Sequence, residues 1–283
     1  MIWVILKGGI GNQMFQYAFG KYLSILFGLE LSLDKGKYLS GNTNRLYDLD
    51  IFKAISVNVG NLSVIRKPDT PSPIFMLERT FSFDKKLVDF LESIPHSDDD
   101  SDQTIIVEGY WQSYKYLLPI ENIIRNDFKI KISFEGHFAI LEKQILACES
   151  VMINVRRGDY LNKLDYHGVV DISYLERAID LMKKKLTVPY FFIFSDDINW
   201  CRQNLGTTKD IIFVDESYYD EKYKSYFVLM KTCRHFILSN SSFCWWAAWL
   251  SSNEKKIVVV PERWFVTDTI SDVDLIPPTW TRL

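Results

Sequence analysis

Cysteine and histidine are both scarce in this chain, and neither is grouped. Its four cysteines, Cys148, Cys201, Cys233 and Cys244, form no C-x-x-C pair and lack the dense spacing of a disulfide framework, so a reducing cytoplasm is the expected setting. The four histidines, His96, His137, His167 and His235, show neither H-E-x-x-H nor Cys/His zinc spacing, and no protein-held metal or other cofactor is expected. Basic excess is missing too: Lys and Arg number 33 against 36 Asp and Glu, a net charge of -3, which argues against nucleic acid as the main partner. Long apolar runs are also absent. The stretches around 190–194 and 243–250 fall far short of the roughly 20 residues that cross a bilayer. The opening Met1–Leu6 run has no basic stretch before it, which argues against a signal peptide. A soluble protein is expected, at most peripheral to a membrane.

What remains is an ordinary globular mixture, 47% hydrophobic and 24% charged over 283 residues, long enough for two domains. Ile2–Leu6 reads as a buried strand ended by Gly8-Gly9, and Asn12–Phe27 as a helix closed by Gly28. Leu29–Leu33 is a second, weaker strand. Between Asp34 and Asp102 the prolines Pro68, Pro71 and Pro73 and the Asp98–Asp100 cluster break the pattern, so only loops and short elements are expected. Ile105–Glu108 reads as a strand and Phe138–Cys148 as a helix. From there apolar runs at Val151–Val155, Tyr190–Phe194, Ile211–Val214, Phe236–Leu238 and Ile257–Val260 alternate with amphipathic stretches. One such stretch carries a capping box, Ser173 with Glu176. The series predicts an α/β fold with mostly parallel sheets, divided near Glu149-Ser150 into domains 1–149 and 150–283.

Ligands of open parallel sheets bind beyond the carboxyl ends of the strands, and four polar clusters fall there. Gly8, Gly9 and Gly11 permit close backbone approach, with Asn12 expected to open a helix whose N-terminus favours negative charge, beside Gln13. The loop lacks the third glycine of a dinucleotide fingerprint and the Gly-Lys-Ser/Thr ending of a P-loop. Arg156 and Arg157, followed by Gly158, form a guanidinium pair suited to a diphosphate; the alternative is ion pairing to carboxylates of a neighbouring helix. After Ser195, Asp196 and Asp197 could hold a metal, accept hydrogen bonds from a base or ribose, or cap the next helix, with Asp196 the ligand contact and Asp197 the cap, or the two exchanged. Asn240, Ser241 and Ser242 open a further helix, either as a second phosphate corner or as an N-cap. Trp245, Trp246 and Trp249 on it read as core. Asp98–Asp100 reads as a solvated loop.

Together the runs Gly8–Ala18 (GGIGNQMFQYA), Val155–Tyr160 (VRRGDY), Phe194–Asp197 (FSDD), Ser239–Trp249 (SNSSFCWWAAW), Gly109–Ser113 (GYWQS) and Ile276–Trp280 (IPPTW) resemble glycosyltransferase family 11, the α-1,2-fucosyltransferases. The resemblance implies a fold of the GT-B type with two Rossmann-like domains, the first on the acceptor side and the second binding the nucleotide sugar. It implies GDP-β-L-fucose as donor, the 2-hydroxyl of a galactose-containing glycan as acceptor, and inversion without metal. By the same likeness Arg156 contacts the donor diphosphate, Asp196 the guanosine, Ser241 to Phe243 the phosphate region, and Asn12 the fucose end. Where the family usually has His, this chain has Asn154, an amide that cannot serve as a base near neutral pH.

Leaving-group charge would fall to Arg156. Asp159 is a candidate base, though neighbouring guanidinium groups would lower its pKa; Glu108 and Asp34 are further candidates. Two other readings stand: a transferase using another sugar nucleotide, and a non-catalytic glycan- or nucleotide-binding protein. The acceptor pocket is expected from residues 34–133, and a lipid-linked acceptor would bring the protein to a membrane surface.

Overall fold

A computed structural model describes residues 1–40, 44–62, 73–78, 82–93, 104–158 and 169–283. The candidate base Asp159, the neighbouring Tyr160 and the Asp98–Asp100 cluster lie outside the described residues.

The chain forms two compact units, one of Met1–Lys129 with Ser271–Ile276, the other of Ile130–Ile270 with Pro277–Leu283. In the first, β1 (Ile2–Ile5) leads into α1 (Ile10–Phe27), then β2 (Leu31–Asp34) and the one-turn α2 (Gly36–Leu39). The short strands β3 (Asn58–Gly60) and β4 (Ile74–Leu77), the helix α3 (Lys85–Ser93), β5 (Ile105–Glu108) and α4 (Glu121–Asp127) follow. The strands make one parallel sheet in the order β3-β2-β1-β5-β4. Helix α1 lies close on it at Gly20, where a β-carbon would come within 2.4 Å of Val4 Cγ2. Gly28 ends the helix at φ 65, a left-handed conformation that glycine adopts without steric cost.

The second unit begins with α5 (Gly136–Leu146) and β6 (Glu149–Val155), continuing through α6 (Ile172–Lys185), β7 (Pro189–Ser195), α7 (Ile198–Leu205), β8 (Ile211–Val214) and α8 (Lys224–Thr232). It closes with β9 (His235–Ile237), α9 (Ser242–Leu250), β10 (Val258–Val260) and β11 (Thr281–Arg282). Its sheet is also parallel, in the order β11-β10-β9-β6-β7-β8. Val151, Ile153 and Val155 of β6 pack with Phe191 and Ile193 of β7 against Leu175, Ala178 and Met182 of α6, all fully buried. Trp245 and Trp246 are fully buried and Trp249 nearly so, as a sheet covered on both faces requires.

The border expected at 149–150 falls within the second unit, which takes in α5 as well. The segment Ser271–Ile276 belongs with the first unit, where Asp274 anchors it. Asp274 Oδ2 accepts the Phe83 N–H, its carbonyl accepts the Tyr114 N–H, and Oδ1 pairs with Lys115 Nζ at 2.5 Å. The capping box expected at Ser173 is replaced by a cap two residues earlier. Asp171 accepts the Tyr174 N–H, and Ser173, already inside the helix, donates its hydroxyl to Asp171.

Candidate active site

Chain order reverses in the second sheet between β6 and β9, the kind of switch point beyond whose strand ends ligands of open parallel sheets bind. Ten of the expected site residues stand along this edge. Asn154, near the end of β6, is buried and bridges both neighbouring strands. Its Nδ2 donates to the Phe194 carbonyl at 3.3 Å and its Oδ1 accepts the Ser239 hydroxyl at 2.5 Å.

Arg156 and Arg157 follow directly. Arg156 Nη1 meets Asp196 Oδ2 at 3.0 Å, while the Arg157 backbone N–H donates to Asp196 Oδ1 at 2.8 Å. The Arg157 guanidinium lies over the Trp200 ring, 4.0 Å from its centroid, and its Nε is 3.5 Å from Asp197 Oδ2. That last separation is an ion pair longer than a hydrogen bond. The pairing to carboxylates, weighed as the alternative to diphosphate binding, is therefore present. The two are compatible, because a guanidinium carries five N–H donors in a fixed fork. Gly158 permits this approach: a β-carbon there would stand 2.8 Å from Asp196 Oδ2.

Asp197 caps α7 by accepting the Trp200 N–H at 3.1 Å, and its own N–H donates to the Ser195 hydroxyl. Both aspartates meet the arginines, Asp196 through Arg156 Nη1 and the Arg157 N–H, Asp197 through the longer pair with Arg157 Nε. Ser195 is buried, its carbonyl accepting the Tyr219 hydroxyl at 2.8 Å. Ser241 sits at the N-cap of α9 in extended conformation, but its side chain does not cap the helix. Its backbone carbonyl instead accepts from the Cys244 thiol, which burial pushes up to about 12. Asn240 Nδ2 donates to the Trp264 carbonyl, Ser242 begins the helix, and the Phe243 ring lies 5.1 Å from that of Phe227. Trp200 and Tyr219 were not singled out from sequence; only their place just after strands β7 and β8 marks them.

The remaining expected residues lie at the carboxyl edge of the first sheet, whose order reverses between β1 and β5. Gly8 has φ 79, Gly9 is the N-cap of α1, and Gly11 lies in its first turn. Asn12 does not open the helix as expected, because Ile10 does; its N–H donates to the Gly9 carbonyl and its Oδ1 accepts Gln112 Nε2 at 2.7 Å. Gln13 is fully buried. It donates to the Gly8 and Leu46 carbonyls and accepts the Asp48 N–H, so it binds the loop together. Asp34 accepts N–H groups of Gly36 and Leu62 in a turn. Glu108 pairs with Lys37 Nζ at 2.7 Å, which holds its carboxyl below the usual range. Burial depresses the neighbouring Lys7, which sits 4.7 Å over the Tyr110 ring.

The Glycosyl transferase family 11 model matches residues 1–283. The chain belongs to glycosyl transferase family 11. An α-1,2-colitosyltransferase of Escherichia coli is 29% identical over 98% of this chain and 97% of its own. The O-antigen biosynthesis glycosyltransferase WbnK of the same species is 27% identical over 98% and 99%. Among solved structures, NodZ α-1,6-fucosyltransferase soaked with GDP-fucose superposes with a TM-score of 0.53 at 15% identity, covering 88% of this chain and 91% of that one. At that identity the likeness is one of fold, and the family 11 chain has the GT-B type fold with two mostly parallel sheets. Among the described residues no helix is long and apolar enough to cross a membrane.

Proposed function

We propose that this family 11 enzyme is an inverting, metal-independent α-1,2-fucosyltransferase that moves L-fucose from GDP-β-L-fucose to the 2-hydroxyl of a galactose in an oligosaccharide or surface glycan. The observation that carries the reading is the guanidinium pair at the β6–β9 reversal, fixed by Asp196, Asp197 and Trp200. In this reading the acceptor oxygen forms a bond to the anomeric carbon as the bond from that carbon to the β-phosphate oxygen breaks. The electron pair leaves with GDP, the acceptor proton passes to solvent or a base, and attack opposite the leaving group turns β into α. Arg156 meets the charge developing on the diphosphate, a role for fixed donors in a site that needs no reorganisation at the moment of reaction. Asp196, whose carboxylate both orients Arg156 and faces the edge, is assigned the nucleoside, and the start of α9 at Ser241–Phe243 the phosphates.

A second reading has its own support: a relative matched over nearly its whole length transfers colitose by name. The test is incubation of the purified protein with lactose and, separately, GDP-fucose or GDP-activated colitose, following GDP release and product linkage. An α-1,2-fucosylated product is expected. A product from the other donor alone would move the assignment to colitose, and glycan binding without transfer from any sugar nucleotide would reject an enzymatic role.

A further inference from the structure

Trp111 is a bulky residue in left-handed conformation, φ 55, in the loop that follows β5. Such backbone persists only where its surroundings over-determine it, and it concentrates at functional sites. Beside an edge-on contact with Tyr116, three contacts hold it. The indole stacks on Phe19 with centroids 4.0 Å apart, and the Ser113 N–H donates to the Trp111 carbonyl at 2.9 Å. The third is Glu78, just past the end of β4, whose two carboxylate oxygens accept the Tyr110 N–H at 2.6 Å and the Trp111 N–H at 3.0 Å. Burial raises the Glu78 carboxyl, while those two N–H groups and Lys7 oppose the rise. A glycine at position 111 would make the same turn without strain, so turn formation alone does not account for a half-buried carboxylate and a strained tryptophan.

The clamp has a consequence at the point where the first sheet reverses. It delivers the nearly buried Gln112 to Asn12, and Gln16 completes the tie by donating to the Gly109 carbonyl and accepting the Lys7 N–H. The loops after β1, β4 and β5 thus become one network. The lysines there, Lys7 and Lys37, are matched by Glu78 and Glu108. A neutral, hydroxyl-rich ring suits amides, an aromatic ring and balanced charges better than a phosphate does.

We propose that Glu78 is a positioning residue for acceptor binding: by holding the Tyr110–Trp111 backbone it sets the Gln112–Asn12 amide pair and the Tyr110 ring to receive the acceptor sugar. The inference rests on the reading of the first unit as the acceptor side. Its test is the kinetics of Glu78→Ala, Glu78→Gln, Gln112→Ala and the Glu78→Ala/Gln112→Ala double variant with lactose, alongside GDP affinity. Loss of Glu78 is expected to raise the lactose KM roughly tenfold, the size of one lost hydrogen bond to a ligand, with GDP affinity unchanged. Glu78→Gln keeps one acceptor oxygen and should recover part of the loss, and the double variant should be no worse than the poorer single one. A fall in kcat with unchanged lactose KM, or additive losses, would reduce Glu78 to a structural prop and overturn the proposal. Amide exchange separates this outcome from failure of the transferase reading. If the native protein transfers no sugar, lactose should still slow exchange at residues 110–112 in the native protein and not in Glu78→Ala. No protection, or equal protection in both, would refute the role of Glu78.

Discussion

The Ser239 hydroxyl donates to Asn154 Oδ1 at 2.5 Å, joining β9 to β6 across the line where the second sheet reverses its order. With Asn154 Nδ2 on the Phe194 carbonyl, one amide ties three adjacent strands two residues before Arg156. Its donor and acceptor ends match a hydroxyl and a carbonyl at once, so the side chain works as a brace. Asn154→Ala leaves the buried Ser239 hydroxyl only its long contact with the Cys244 thiol at 3.9 Å, a loss of about 1–3 kcal/mol. Urea unfolding should report a lower midpoint at unchanged slope. A midpoint equal to that of the native protein would show that the brace carries no stability.

Arg156 is the test of leaving-group stabilisation. Its side chain is 28% exposed and pairs with Asp196, so truncation removes little core. Arg156→Ala should lower kcat by about 10²–10³-fold, by analogy with loss of one aimed donor to a developing oxyanion, with the unfolding curve nearly unmoved. Arg156→Lys should not restore it, because a point charge cannot reproduce the planar fork. Near-native turnover in the alanine variant would remove Arg156 from the mechanism.

Gly158 tests whether Asp196 must stand where it does. An alanine β-carbon would lie 2.8 Å from Asp196 Oδ2, too close unless the carboxylate swings away from Arg156 or the loop shifts. Gly158→Ala is therefore expected to weaken GDP binding by calorimetry while leaving the far-ultraviolet spectrum intact. Unchanged affinity would mean that the position of Asp196 is not needed for the nucleotide.

Much of this arrangement is legible in the chain before any coordinates. Apolar runs such as Val151–Val155 and Phe236–Leu238 identify strands buried on both faces, and the polar residues after them mark the sheet edge. Other features depend on partners distant in sequence. Strand β4 exposes Ile74, Phe75 and Leu77 and buries Met76; its apolar run is short and follows Pro68, Pro71 and Pro73, which hide it in a proline-broken stretch. Strand β11 has two residues and exists through pairing with β10. Gln13 and Asn12 are neighbouring amides with opposite fates: one is fully buried in its own loop, the other reaches Gln112, and nothing local separates them. Glu78 is illegible for the same reason, since its two backbone donors lie more than thirty residues away.

Buried tyrosines provide a prediction for alkaline pH. Burial raises Tyr17, and the hydrogen bond it donates to Asp127 at 2.7 Å raises it further. Burial likewise raises Tyr174, which donates to the Leu238 carbonyl, and Tyr226, and lifts Tyr47 from 10.0 to about 12. A phenol whose pKa is raised by folding contributes stability that is complete below its unfolded value, here 10.0, and is lost as pH rises toward the folded one. Stability should thus be flat up to about pH 10 in this respect and fall steeply beyond it. Tyrosinate absorbance should appear first from exposed rings, then from the buried set together with loss of near-ultraviolet dichroism. Tyr17→Phe should flatten the alkaline slope and, by leaving the nearly buried Asp127 without that donor, cost about 1–3 kcal/mol at neutral pH. If all 15 tyrosines titrated near their ordinary value with the dichroism retained, the buried phenols would not be coupled to the fold.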